Sequence, residues 1–255
     1  MYQILHLSDL HYRQRYPETG ADYYDTLRAG LSFDEKLSRV SGAVRGRNLA
    51  GVLISGDICE YGSASDYRDV KEKLQNAFPG VKIGITPGNH DDKGQLRLGW
   101  LGGEASTDPY NHSEDFGEFR LISLDGSREG LNTGEISLAQ CRYLEAELKN
   151  AGGKPVILLS HFHLLDCQHT MPKCDYPAEF ERILRESSIT AILTGHTHRV
   201  YSGFFCGIPY YASPSMSFYD RENKAGVMEY PSGYGYSVYT LEGSAVKSVE
   251  TYFCY

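Results

Sequence analysis

The feature that most constrains this chain is a pattern repeated five times: a short apolar run that ends in aspartate, asparagine or histidine. The runs are residues 2–7, 51–55, 81–86, 155–160 and 189–194, and they deliver, in order, Asp9 with His11, Asp57, Asn89, His161, and His196 with His198. Such runs suit strands buried on both faces. Segments of helical period separate several of them. Ser32 and Glu35 stand at capping-box spacing before Phe33, Leu37, Val40 and Val44. Ser63 and Asp66 open a helix over 63–77 that turns Tyr67, Val70 and Leu74 inward. Ser137 caps a helix carrying Leu138, Cys141, Leu144 and Leu148, and a further helix is predicted over 178–186. This alternation predicts an α/β chain with its ligand groups collected at the carboxyl edge of a sheet.

The connecting segments are less regular. Residues 13–29 are polar and hold Tyr16, Tyr23 and Tyr24, which suits a long loop at the mouth of whatever Asp9 and His11 form. Residues 92–115, with the single tryptophan Trp100, read as a loop or small cap. Residues 116–125 alternate enough to be a strand, and 126–134 are rich in turn residues. From Val200 onward, short tyrosine-rich runs broken by glycine and proline predict antiparallel strands that complete a second sheet. Neither repeats nor linkers divide the sequence, so 1–255 is expected to be one domain.

Random polar strand ends would include lysine, glutamate, serine and threonine. The set here is Asp9, His11, Asp57, Asn89, His161, His196 and His198, all good ligands for a borderline divalent ion. Asp9 and His11 are two apart, so an extended backbone would turn both to one side, and the same holds for His161 and His163. Seven candidates exceed the needs of one ion, which points to two ions about 3.5–4 Å apart with one carboxylate bridging them. Imidazole mixed with carboxylate favours Zn, Fe or Mn over Ca or Mg. A zinc ribbon is disfavoured, because the six cysteines form no C-x-x-C pair.

In their order, Asp9-Leu10-His11, Gly56-Asp57 through Gly62, Gly88-Asn89-His90-Asp91, His161 and Gly195-His196-Thr197-His198 resemble the five motifs of the calcineurin-like metallophosphoesterases. Within that superfamily, the opening His6-Leu7-Ser8-Asp9-Leu10-His11, the Leu124-Asp125 strand end and Ser213-Pro214-Ser215 resemble the class III cyclic nucleotide and glycerophosphodiester phosphodiesterases. The resemblance implies a four-layer α/β/β/α sandwich of two mixed sheets flanked by helices. It also implies two divalent or trivalent ions (Mn, Fe or Zn). Asp9, His11, Asp57 and His198 would hold the first, and Asp57, Asn89, His161 and His196 the second, with Asp57 as the bridge. His90 matches a histidine that contacts the phosphate and assists the leaving group, and Asp91 is placed to orient it. Many relatives follow the strand-end histidine with histidine and proline, whereas this chain has Phe162-His163-Leu164.

The expected reaction is in-line hydrolysis of a small phosphodiester, a cyclic nucleotide or a glycerophosphodiester. Two cations lower the pKa of a bridging water to near neutrality, and His90 protonates the departing alkoxide. A phosphomonoesterase or nucleotide-sugar pyrophosphatase of the same superfamily is the alternative, to be decided by the loops at 13–30, 92–115 and 164–177. A non-catalytic metal-binding scaffold would be expected to lack a ligand or His90, and this chain lacks none. With 25 basic and 33 acidic residues the chain has a net charge of −8, without the broad positive surface that long nucleic acid requires. Twenty tyrosines and ten phenylalanines offer aromatic surfaces on which a nucleobase could stack. The absence of a leader or of about 18 consecutive apolar residues predicts a soluble, cytoplasmic protein with no membrane partner, and leaves a homo-oligomer open. Cys59, Cys141 and Cys206 are expected to be buried thiols. Cys167 and Cys174 are expected to be free rather than bridged or metal-bound.

Overall fold

The computed structural model describes residues 1–168 and 171–254, apart from the side chain of Glu222; residues 169 and 170 of the 164–177 loop lie outside it. Its strands are β1 (Tyr2–Leu7), β2 (Leu49–Ser55), β3 (Ile83–Thr86), β4 (His112–Asp115), β5 (Arg120–Ser123), β6 (Val156–Leu159), β7 (Ile189–Thr194), β8 (Tyr201–Phe205), β9 (Ile208–Ala212), β10 (Arg221–Glu222), β11 (Met228–Glu229), β12 (Tyr234–Glu242) and β13 (Ala245–Cys254). Its helices are α1 (Tyr24–Ala29), α2 (Phe33–Ala43), α3 (Ala64–Ala77), α4 (Lys93–Leu96), α5 (Leu138–Asn150) and α6 (Ala178–Glu186). Capping boxes open three of them: Ser32 with Glu35, Ser63 with Asp66, and Ser137 with Gln140. No helix among the described residues is long and apolar enough to cross a membrane.

One sheet runs β13-β12-β1-β2-β3 and the other β4-β5-β6-β7-β9-β8, while β10 and β11 form a separate two-stranded ribbon. Both sheets are mixed: β1, β2 and β3 are parallel, as are β5, β6, β7 and β9, whereas β12, β13, β4 and β8 join antiparallel. The alternation of side chains along a strand sorts the core into layers. Leu5, Leu7, Val52 and Ile54 pack on Leu37, Val40, Tyr67, Val70 and Leu74 of α2 and α3. Val156 and Leu158 meet Leu144, Phe180 and Leu184 of α5 and α6. The opposite faces, with Ile4, Leu53, Ile157, Leu159 and Leu193, fill the space between the sheets. The result is the expected α/β/β/α sandwich.

Several connections differ from the sequence reading. The last third completes the second sheet only in part: β8 and β9 extend it, with β9 parallel to β7, whereas β12 and β13 extend the first sheet. Local alternation gives strands but not their partners, which burial of both sheet faces selects. The 13–29 segment contains the short helix α1. Residues 92–115 are largely ordered: α4 passes into a π-helical turn, Arg97–Leu101, that seats Trp100 against α3, and β4 follows as an edge strand. In the 116–125 run only Arg120–Ser123 is strand. All six cysteines are free, but Cys206 is only partly buried.

Candidate metal centre

The carboxyl ends of β1, β2, β3, β6 and β7 converge where the two sheets face one another. The convergence uses turned backbone, not the extended geometry that the two-residue spacings suggest. Strand β1 stops at Leu7, and Asp9 and His11 adopt φ of 51° and 45°; Asp57, His196 and His198 likewise have φ of 48°, 68° and 53°. Left-handed backbone at so many non-glycine residues is costly, and such strain collects at functional sites. It swings each side chain back over the sheet edge. Glycines permit the close approach of the loops: a Cβ on Gly88 would lie 2.1 Å from Asp57 Oδ1, and one on Gly195 would lie 1.9 Å from Ser8 Oγ.

Three sets of ligand atoms each lie within 4.8 Å of one another: Asp9, His11 and His198; His11, Asp57 and His90; and Asp57, His161 and His196. Asp57 Oδ2 sits 3.6 Å from His11 Nε2 and 3.4 Å from His161 Nε2, and Asp57 Oδ1 accepts the His90 backbone N–H at 2.9 Å. It is thus placed between the two groups, as a bridge requires. Those sets hold six of the seven expected ligands, and Asn89, whose Oδ1 approaches His161 Nε2 at 3.1 Å, is the seventh; the buried His196 Nε2 has no hydrogen-bond partner among the described residues.

The donor chemistry fits cations. A carbonyl only accepts, so His198 Nδ1 donates to Phe218 O at 3.1 Å and His161 Nδ1 donates to Ser55 O at 2.7 Å. His11 Nδ1 donates to the buried Glu60 carboxylate at 2.6 Å. In neutral imidazoles each Nε2 is therefore a lone pair, and the Nε2 atoms of His11 and His198 face each other at 3.2 Å. Two lone pairs at that distance repel unless a positive centre lies between or beside them. The site is also almost dry: Asp9, His11, Asp57 and His161 are at most 2 % exposed. Burial raises Asp9 to about 6. For Asp57 burial acts the same way, but His161, His90 and His11 outweigh it and hold the carboxyl well below the usual range.

Asp91 corrects the sequence reading. Its carboxylate does not orient His90; it accepts the backbone N–H groups of Ile58, Cys59 and Gly88 and the Tyr67 hydroxyl, all within 3.0 Å. Asp91 therefore ties the Asp57 loop to the Asn89 loop. The residue beside His90 is Glu60, which the sequence reading missed: its Oε2 lies 3.1 Å from His90 Nδ1, at ion-pair distance without the alignment of a hydrogen bond. Burial alone would raise Glu60, but His11 and His90 hold it well below the usual carboxylate range. Its other oxygen accepts from the hydroxyls of Tyr23 and Tyr24 at 2.9 and 3.1 Å, which brings the tyrosine-rich segment to the site's mouth as expected. The signal for Glu60 was its position three residues after Asp57, inside the same glycine-bounded loop. His163 is buried, stacked on His196 with ring centroids 5.9 Å apart and with Nε2 3.1 Å from Met171 O, and is not among the grouped ligand atoms.

Two helix-flanked sheets that gather carboxylates and imidazoles at one edge make a candidate metal centre of the kind that metal-dependent hydrolases use. Residues 2–200 match the family model of the calcineurin-like phosphoesterases, and the chain belongs to that family. It is 28% identical over 220 residues to a probable cyclic nucleotide phosphodiesterase of Rhodococcus erythropolis, covering 84% of this chain and 71% of that protein. It is 29% identical over 216 residues to a cAMP/cGMP dual specificity phosphodiesterase of Mycobacterium tuberculosis (82% and 65%), and 28% identical over 206 residues to the glycerophosphodiester phosphodiesterase GpdQ of Enterobacter lignolyticus (77% and 71%). The match thus spans about two thirds of the length of these relatives. In fold, the chain is similar to a dimetal phosphatase from Danio rerio, with a TM-score of 0.62 at 15% identity and 98% of both chains covered.

Proposed function

We propose that the protein hydrolyses small phosphodiesters with a pair of cations, of the Mn, Fe or Zn kind. Asp9, His11, Asp57 and His198 would hold one cation, and Asp57, Asn89, His161 and His196 would hold the other. When bound, the cations supply a water of lowered pKa as nucleophile and neutralise the phosphoryl oxygens. The chain's own residues do the rest. Glu60 and the carbonyls of Ser55 and Phe218 fix which nitrogen of His11, His161 and His198 faces inward. His90, with 17 % of its side chain exposed, stands at the open side of the site, gives its proton to the departing alkoxide and is paired at Nδ1 with Glu60. The observation that carries this reading is the approach of the His11 and His198 Nε2 atoms to 3.2 Å, while the Nδ1 of each ring is turned to an acceptor. The names of the relatives, which include two kinds of phosphodiesterase, favour a diester over a monoester. Six unpaired thiols support a reducing compartment such as the cytoplasm.

The test is hydrolysis of a chromogenic phosphodiester and its matching monoester by chelator-stripped protein reloaded with Mn, Fe, Zn or Co. Diester cleavage that returns only with metal is expected. A strong monoester preference would move the protein to the phosphomonoesterases.

A further inference from the structure

The cations' floor, formed by His11, Asp57, His90, His196 and His198, opens into a cavity of about 390 Å³ with one aromatic side. Tyr23 and Phe218 stack there with ring centroids 4.7 Å apart and planes within 18°. Tyr230 stands edge-on to both, 5.6 Å from Tyr23 and 5.7 Å from Phe218, and Met228 completes the wall. Met228 belongs to β11 of the two-stranded ribbon and Tyr230 follows that strand directly, outside both sheets. Two bonds fix this wall: Thr26 Oγ1 of α1 donates to the Tyr230 carbonyl at 2.6 Å, and the Tyr23 hydroxyl donates to Glu60. Two of the polar groups that line the cavity are already engaged. Thr197 Oγ1 donates to the Arg199 carbonyl at 3.4 Å, and Asp220 is paired with the Arg199 guanidinium at 3.0 Å. A polyol chain would find its hydroxyls poorly matched against such a wall, whereas a flat ring would find a π-face and an apolar edge.

We infer that the Tyr23–Phe218–Tyr230 wall receives a flat aromatic ring of the substrate, so that the preferred diester is a nucleotide rather than a glycerophosphodiester. The inference rests on the phosphodiesterase reading and names its substrate class. Stacking on an aromatic side chain tolerates any base, because every base has a π-face.

The test is calorimetric binding of adenosine 5′-monophosphate and ribose 5-phosphate, which differ only in the base, to the Mn-loaded full chain. The nucleotide should bind about tenfold to a hundredfold more tightly. Tyr230→Ala should remove most of that difference and leave ribose 5-phosphate unaffected, while Tyr230→Phe keeps it. Tyr230→Leu, which retains bulk without a π-face, should behave like the alanine variant and serves if the latter fails to fold by circular dichroism. Equal affinity of the two ligands for the wild type would overturn the inference and leave the phosphodiesterase reading standing. Binding of neither would overturn both.

Discussion

A buried carboxylate beside a histidine decides which ring nitrogen is free for other work; Glu60 does this for His11 by a hydrogen bond and stands at ion-pair distance from His90. Glu60→Gln keeps the volume but replaces one acceptor with an amide N–H, which would face the His11 or His90 N–H or forfeit the tyrosine bonds. We expect about a tenfold to hundredfold loss of metal affinity or turnover, read by metal titration alongside kcat. Unchanged values for both would show that the Glu60 contacts are packing alone. His90→Gln separates from this. It should retain the metals and lose roughly two to four orders of magnitude in rate on diesters with alkoxide leaving groups, but far less on p-nitrophenyl esters, whose leaving group needs no proton. A uniform loss across leaving groups would remove His90 from the proton-transfer role. These two residues also mark what the sequence concealed. The gathering of the seven candidate residues was legible because they end apolar runs, and that of His90 because it lies in the same short stretch as Asn89. Glu60 ends no strand, and nothing in the order of residues says that Asp91 turns toward the Asp57 loop instead of toward His90.

At the scale of elements, strands β1, β2, β3, β6 and β7 were legible as unbroken apolar runs, and α2, α3 and α5 as capped, periodic helices. The turns that follow the strands were not. Extended backbone was the natural expectation for Asp9-x-His11, yet both residues lie at positive φ, a conformation imposed by packing between loops and not by local preference. Nor was the π-helical turn at Arg97–Leu101 legible; it exists because Gly99 lets the segment close on α3, where a Cβ would come within 2.3 Å of Ala64 O. Loop contact at the site is equally close. Gly88→Ala would drive a methyl group into Asp57, so the variant should fold, by circular dichroism, yet bind metal weakly and lose activity. Wild-type metal content in that variant would contradict the placement of Asp57 between the two groups.

Across the whole molecule, the layers tie stability to pH through groups far from the surface. His6 is fully buried on β1, with Nε2 2.8 Å from Ser55 Oγ and Nδ1 3.2 Å from the Tyr239 hydroxyl. Burial lowers it from 6.5 to about 3. As pH falls below 6.5 the unfolded chain takes up a proton that the folded chain refuses, so this share of stability is complete above 6.5 and is lost progressively toward 3. Chelator-treated wild type should therefore lose about 2–3 kcal/mol more than His6→Gln between pH 6.5 and 4.5, measured by urea unfolding. Parallel curves would contradict the buried, neutral His6. The sandwich itself was legible from the alternation of apolar runs with helices. The sharing of the C-terminal strands between the two sheets was not, because partner choice is settled by burial across the whole sandwich.

Two cations held through Asp57 are proposed as the working state of this site. The decisive measurement is the number of metal equivalents bound by stripped protein, titrated with Mn and followed in parallel with diester turnover. Saturation near two ions per chain is expected, with activity rising as both sites fill, and neither in Asp57→Ala. Full turnover by the stripped wild type, or by an Asp57→Ala protein without bound metal, would contradict it.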